Sequence, residues 1–347
     1  MAEIVLGIGT SHSPLLAIPP RMWLDRGKDD LQRTSIHLVD GRAVPYAVLA
    51  SESGNRFAPF ATQEHFEIQA RAAHAALDGL ADAIDAARVD LLVVIGDDQD
   101  ELFSRSHLPA FAVYTGTEIA TLPKTELVPD LPDWHRAANV GYLMDSVHRH
   151  PGSPAFATQL IEALIDRHIE AGLASEVSNP HERGFGHAFG FVIERLLRRR
   201  PVPILPLLLN TYFPPNVPRP GRCWDIGEAL AEAIAEFPDG LRVGIVASGG
   251  LSHFATDTAL DNLVLDALGC SDVEALRAIP AHSLRSGNSE ILNWIMAGGA
   301  LQKLVADPFV YLPVYRTPAG TGIGLGFMTW RPPTNTPNNK QEPRHDH

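Results

Sequence analysis

Short runs of leucine and β-branched residues, each ending on a polar loop and followed by a helical pattern, constrain this chain more than any other feature. The first run, Glu3 to Gly9, stops at Thr10-Ser11-His12. The second, Leu91-Leu92-Val93-Val94-Ile95-Gly96, stops at Asp97-Asp98-Gln99. A third, Leu241 to Ala247, leads through Ser248-Gly249-Gly250-Leu251-Ser252 to His253. Between the first two, Glu64 to Ala87 places Phe66, Ala73, Leu77, Leu80 and Ile84 on one face, which predicts an amphipathic helix. Further runs occur at Ala110 to Tyr114, Ile204 to Leu209 and Ile323 to Trp330, with helices predicted over Pro154 to Ala171, His187 to Arg199, Cys223 to Phe237 and Ser289 to Met296. The alternation predicts an α/β fold of three α/β/α layers around a mostly parallel or mixed sheet. Ligands of such sheets bind in the crevice beyond the carboxyl ends of the strands, so His12, Gln99 and His253 are predicted to share one site.

The 347 residues are read as a single catalytic domain over 1–330. The Pro- and Gly-punctuated stretches 14–60 and 122–154 read as long functional loops, and 331–347 as a disordered tail. With 28 basic against 41 acidic residues, the formal net charge is −13, which argues against nucleic acid or an anionic membrane as the main partner. The basic cluster Arg195 to Arg200 is expected to end a helix, where cations suit the dipole. Cys223 and Cys270 make neither a disulfide framework nor a thiolate zinc cage, so a reduced cytoplasmic setting is expected. No signal segment and no run of about 20 apolar residues is present, which predicts a soluble, unprocessed protein with no membrane partner.

One more piece carries chemistry. In Ser286-Gly287-Asn288-Ser289-Glu290-Ile291-Leu292-Asn293-Trp294, Ser289 reads as an N-cap and Glu290 as a carboxylate fixed in the first helical turn. The plain alternative is that Glu290 only complements the helix dipole. His12 likewise has the alternative of satisfying backbone groups, whereas the Gly-Gly turn before His253 demands unusual backbone freedom.

Taken together, Ser11-His12-Ser13-Pro14, Val93 to Gln99, Gly249-Gly250-Leu251-Ser252-His253 and Glu290 with Trp294 resemble the LigB-type class III extradiol ring-cleavage dioxygenases, whose members include the β subunit of protocatechuate 4,5-dioxygenase. The resemblance spans roughly residues 3 to 330. It implies a non-haem Fe(II) enzyme that cleaves a catecholic or hydroxylated, and expected carboxylated, aromatic substrate with O2. It further implies His12, Gln99 and Glu290 as metal ligands and His253 as the acid–base histidine. Two nitrogen ligands and a carboxylate leave positions on Fe(II) for two catecholate oxygens and dioxygen, and a histidine near neutrality suits the proton transfers.

This chain departs from the family at two places. Gln99 stands where the family has a histidine, and an amide carbonyl is a weaker donor than imidazole. The ligand is thus Gln99 itself, or Asp98 turned inward, or another histidine such as His65, His181 or His187, or the metal has been lost. In Asn179 to Phe189, Arg183 precedes Gly184 where the family has Asp-His, which leaves His181 or His187 to face substrate and oxygen as a catalytic group. The alternative for His187 is to cap the helix that follows. Arg183, with Ser11 and Ser252, is assigned to substrate binding, Arg183 through a bidentate fork to a carboxylate; its alternative is a surface ion pair. Rival functions are a metal-dependent hydrolase using Zn2+ on His12 and Glu290, and a binding protein with a degenerate metal site. Fold analogy suggests a homodimer, with a small helical partner subunit also open.

Overall fold

The computed structural model describes residues 1–238 and 240–333. In chain order the strands are β1 (Glu3–Thr10), β2 (Ile36–His37), β3 (Ala43–Val44), β4 (Leu91–Asp97), β5 (Phe111–Tyr114), β6 (Glu118–Ala120) and β7 (Arg149–Pro151). Then follow β8 (Gly172–Ala174), β9 (Ile204–Leu209), β10 (Arg242–Ser248), β11 (His253–Ala255), β12 (Val305–Ala306), β13 (Val310–Tyr315) and β14 (Thr321–Arg331). Ten of them form one sheet in the order β11-β14-β1-β10-β4-β9-β5-β8, with β12 and β13 also pairing with β14. β1, β10, β4 and β9 run parallel at its centre, while β14 and β5 run antiparallel to their central neighbours, so the sheet is mixed.

The continuous apolar run of β4 is buried on both faces because helices cover both. Side chains alternate along a strand. Leu91, Val93 and Ile95 therefore join one core with Leu205, Leu207, Val243 and Ile245, under helices Pro154–Ile165, Pro220–Ala235, Thr258–Cys270 and Ile291–Ala300. Leu92 and Val94 point the other way and join Leu6, Ile8 and Val246 beneath Phe66 and Leu77 of helix Gln63–Ala87 and Phe189 of helix His187–Phe191. These are the three layers that the alternation predicts.

The two stretches read as loops contain short elements. Helices Trp23–Asp30 and Tyr46–Ser53 and the β2–β3 ladder lie within 14–60, and helices Lys124–Leu127 and Asp133–Gly141 with β7 lie within 122–154. Such short helices have little propensity of their own and form because tertiary contacts hold them. Trp23, for example, is fully buried and donates from Nε1 to Leu15 O at 2.9 Å. The helix expected over His187 to Arg199 stays α-helical only to Phe191 and widens into a π-turn over Val192–Leu196. Arg195, Arg198, Arg199 and Arg200 pair with Asp78, Asp82, Glu194 and Asp85, so neighbouring acids hold this basic cluster. Of the stretch read as a tail, Arg331 closes β14, and residues 334–347 lie outside the described residues. Among the described residues, no helix is long and apolar enough to cross a membrane.

Candidate active site

Register builds the site. Thr10, Ser248 and Gly96 lie side by side across β1, β10 and β4. The chain therefore leaves three adjacent parallel strands at one level, bringing together His12, Asp97 with Gln99, and the Gly249-Gly250 turn that leads to His253. Glu290 arrives from the other direction, at the junction of the 3-10 turn Ser286–Glu290 and helix Ile291–Ala300. That helix is tied to the strand ends: Asn293 Nδ2 donates to Ser248 O (2.9 Å) and Trp294 Nε1 to Gly249 O (2.8 Å). Ser289 does not cap it, since its hydroxyl donates to Ser286 O inside the 3-10 turn. The Glu290 carboxylate instead accepts from Gly250 N (2.6 Å) and from the Tyr212 hydroxyl (3.0 Å).

Both inward-facing imidazoles have their tautomer set by a neighbour. Ser248 Oγ donates to Ala188 O (2.7 Å), so it accepts from His12 Nδ1 (3.0 Å) and leaves the lone pair of His12 on Nε2. That Nε2 is buried and has no hydrogen-bond partner among the described residues, although Glu290 Oε2 lies 3.1 Å and Asp97 Oδ1 3.9 Å away. His187 Nδ1 meets Glu101 Oε1 at 3.0 Å, which turns its Nε2 toward the same centre. Ligand-capable atoms of His12, Asp97, His187 and Glu290 all lie within 4.8 Å of one another. Opposed ligands of a divalent ion stand about 4 to 5 Å apart, twice the usual ligand bond length. The orphaned nitrogen, the buried carboxylates and this spacing together fit a cation.

The electrostatics agree. Burial and the Glu290 charge push the Asp97 carboxyl up to about 6. Burial also opposes the ionisation of Glu290, but the imidazoles of His253, His12 and His187 outweigh it and hold that carboxyl far below its usual range. His187 is raised to about 9: burial disfavours its charge, and the Glu101 carboxylate with its hydrogen bond, then Asp97 and Glu290, more than compensate. The pocket thus gathers more negative charge than its own groups neutralise, and a bound cation would take the place of these protons.

Gln99 reaches this centre with its amide nitrogen, which donates to Asp97 Oδ2 (2.9 Å) and to Glu290 Oε1 (3.5 Å). In this pose it hydrogen-bonds both carboxylates, and the ligand-capable atoms beside it belong to Asp97 and His187. Asp98 is turned away, accepting from Leu102 N (2.8 Å) and Phe103 N (3.1 Å), and His65 packs on Phe60 at the start of its helix. His253 stands beside the cluster, its Nε2 3.6 Å from Glu290 Oε2. Its backbone N–H donates to Asn288 Oδ1 (2.6 Å) and its Nδ1 to Leu251 O (2.8 Å), so Nε2 carries the lone pair. Burial lowers its pKa. Gly250 and Gly287 make room for the ring: a Cβ on either would come within 2.1 Å of His253.

These groups open onto a cavity of about 230 Å³, whose walls include Leu15, Tyr142, Met144, Phe254 and Ile323. His12, Gln99, His187, His253 and Glu290 line it; four other residues singled out in the sequence do not. Ser11 is buried, donating to Gly324 O and accepting from Gly326 N, which fastens β1 to β14. Ser252 is buried against Asp261, to which its N and Oγ both donate (2.7 Å each). His181 lies at the surface against Glu126, and Arg183 is half-buried, bonded to Asp100 and to Phe103 O. The sequence reading missed Asp97, Glu101, Tyr142 and Tyr212. Asp97 closes a wholly apolar strand and Tyr212 opens the stretch Tyr212-Phe213-Pro214-Pro215, a weak echo of the same family; Glu101 and Tyr142 carried no signal.

The family model described as "Catalytic LigB subunit of aromatic ring-opening dioxygenase" matches residues 61–321. A gallate dioxygenase of Pseudomonas putida is 35% identical over 97 residues, a stretch covering 26% of this chain and 28% of that relative. The match thus spans little more than a quarter of that curated relative's length.

Proposed function

Because the chain belongs to the LigB family of catalytic subunits of aromatic ring-opening dioxygenases, we propose that it is a non-haem Fe(II) enzyme of the extradiol type that opens the ring of a catecholic or hydroxylated aromatic substrate with O2. The observation that carries this reading is the buried convergence of His12, Asp97, His187 and Glu290 beside the free Nε2 of His253. Imidazole nitrogens combined with carboxylate oxygens are a donor set that suits Fe(II). Bound there, Fe(II) would supply the Lewis acidity that favours an ionised catechol and the redox chemistry that lets the ring react with dioxygen.

The remaining steps belong to the chain. Ser248 and Glu101 hold the two imidazoles from behind, which fixes their orientation and raises their basicity. His253, kept neutral by burial and with Nδ1 committed to Leu251 O, takes a substrate hydroxyl proton on Nε2 and returns it later. Tyr212 and Gln99 donate to Glu290 and keep its carboxylate oriented. Apolar side chains such as Leu15, Met144 and Ile323 limit water around the ring.

The test is anaerobic reconstitution with Fe(II), followed by metal analysis and oxygen uptake with catechol, protocatechuate and gallate. Iron near one per chain with uptake supports the reading, and His12→Ala and Glu290→Ala should each abolish iron loading. Zinc retention with ester or amide hydrolysis and no oxygen uptake would replace it with the hydrolase.

A further inference from the structure

The cavity carries a second, oppositely charged feature. Asp30, fully buried at the end of helix Trp23–Asp30, accepts from Arg26 Nη1 (3.0 Å), Arg33 Nε (3.1 Å) and Arg316 Nε (2.8 Å), and from Thr321 Oγ1 (2.9 Å). Three guanidinium groups thus share one carboxylate and leave two positive charges in surplus, inside a chain whose net charge is −13. Arg316 is only 6% exposed and Arg26 only 8%. A buried charge without a full complement of partners is strongly unfavourable. Arg316 Nη2 nevertheless has no hydrogen-bond partner among the described residues. Arg26 and Arg316 both line the cavity that holds His12, His253 and Glu290, and so does Lys124, which makes no ion pair among the described residues. Arg183, the cation first assigned to a substrate carboxylate, is already engaged at the surface.

We propose that Arg316 and Arg26, held in place by Asp30, form an anion site that selects ring substrates bearing a carboxylate. The guanidinium fork matches a carboxylate in shape and charge, and a cavity of about 230 Å³ has room for a single-ring acid. The proposal rests on the ring-opening reading for the ring's hydroxyls; the anion site itself does not require it.

The test is calorimetric titration of the full chain under nitrogen with two matched pairs: 3,4-dihydroxybenzoate against its methyl ester, and benzoate against benzamide. Each acid is expected to bind about 10- to 100-fold more tightly than its neutral counterpart, the usual range for a charged hydrogen-bonded contact. Arg316→Gln should bring each ratio within a few-fold of one, and Arg316→Lys should restore part of it. Benzoate and benzamide lack the catechol hydroxyls. Their ratio therefore reports on the anion site even if oxygen uptake fails, and oxygen uptake with equal acid and amide binding would discard the anion site alone. An acid preference that survives undiminished in folded Arg316→Gln would overturn the assignment of Arg316, leaving another charged group of the cavity, such as Lys124 or the metal centre, as the carboxylate's partner. The wild-type ratios need no variant, so equal binding within each pair overturns the proposal even if Arg316→Gln fails to fold.

Discussion

Replacing Asp30 with asparagine should be among the most destabilising isosteric changes available in this chain. The substitution keeps the volume and removes the one charge facing Arg26, Arg33 and Arg316. Breaking a buried pair by removing one partner costs about 3 to 5 kcal/mol, because the other charge stays buried. With an unfolding entropy of about 2.1 cal/mol/K per residue, 347 residues give about 0.7 kcal/mol/K, so the melting temperature should fall by about 4 to 7 °C. Calorimetry at pH 7 measures it directly. Acid titration gives a second check with a definite sign. Burial pushes the Asp30 carboxyl up, but Arg316 and Arg26, with hydrogen bonds from Arg316 and Thr321, outweigh it and hold the group at about 2 rather than 3.8. A depressed carboxyl stabilises the fold fully above its unfolded value, and that stability is lost as pH falls from about 4 to about 2. The loss is about 2 kcal/mol at 1.36 kcal/mol per unit. It is smaller than the cost of the asparagine because both Asp30 oxygens accept hydrogen bonds, and both oxygens of a protonated carboxyl keep acceptor capacity, whereas the amide nitrogen of asparagine only donates. An Asp30→Asn protein that melts within 1 °C of wild type would refute the view that this carboxylate restrains three buried or half-buried guanidiniums.

Three further outcomes follow from the metal and proton chemistry. His253→Gln should retain iron while turnover falls about 100- to 10,000-fold; metal analysis beside oxygen uptake checks it, and normal turnover would remove His253 from acid–base chemistry. Glu101→Gln weakens the hold on His187 Nδ1 and should lower Fe(II) affinity about 10- to 100-fold, as losses behind a ligating histidine do, measured against a competing chelator. In the same titration His187→Ala should cost at least about tenfold and Gln99→Ala only a few-fold, since the Gln99 amide faces Asp97 as a donor; the reverse order would make Gln99 the ligand.

How much of this was legible depended on whether the signal was local. Ile204 to Leu209 and the helix from Glu64 were readable because burial on both faces, or on one stripe, writes a period into the residues themselves. Helices Trp23–Asp30 and Asp133–Gly141 were not, because contacts with distant segments hold them, such as Trp134 Nε1 donating to Asp29 at 3.0 Å. His12, His253 and Glu290 stood out as polar groups on rigid strand or helix ends. Asp97 gave only the hint of a carboxylate closing an apolar strand and Glu101 none, since a carboxylate beside a turn looks much like a solvated residue until the register Gly96↔Ser248 shows which way the chain leaves the sheet. Ser11 and Ser252 flank the right histidines, yet alternation turns them to the opposite side, where Gly326 N and Asp261 engage them.

The two arginines illustrate the same point through charge. In the sequence, Arg183 beside His181 and His187 is the natural carboxylate partner, and Arg316 sits among apolar strand residues with nothing to recommend it. Pairing of β13 with β14 brings Arg316 next to Thr321, and both then meet Asp30 from the other end of the chain. The result is a cavity with a surplus of negative charge around His12 and Glu290 and a surplus of positive charge around Arg316 and Arg26. A catecholic acid bears complementary groups for both: hydroxyls for a cation held by the first and a carboxylate for the second. Neither attraction alone would fix the ring, because each permits rotation about its own contact. On the proposed assignments, a ring held at both points would present its hydroxyls to His253 Nε2 in one orientation, and such positioning is worth several kcal/mol of a reaction barrier.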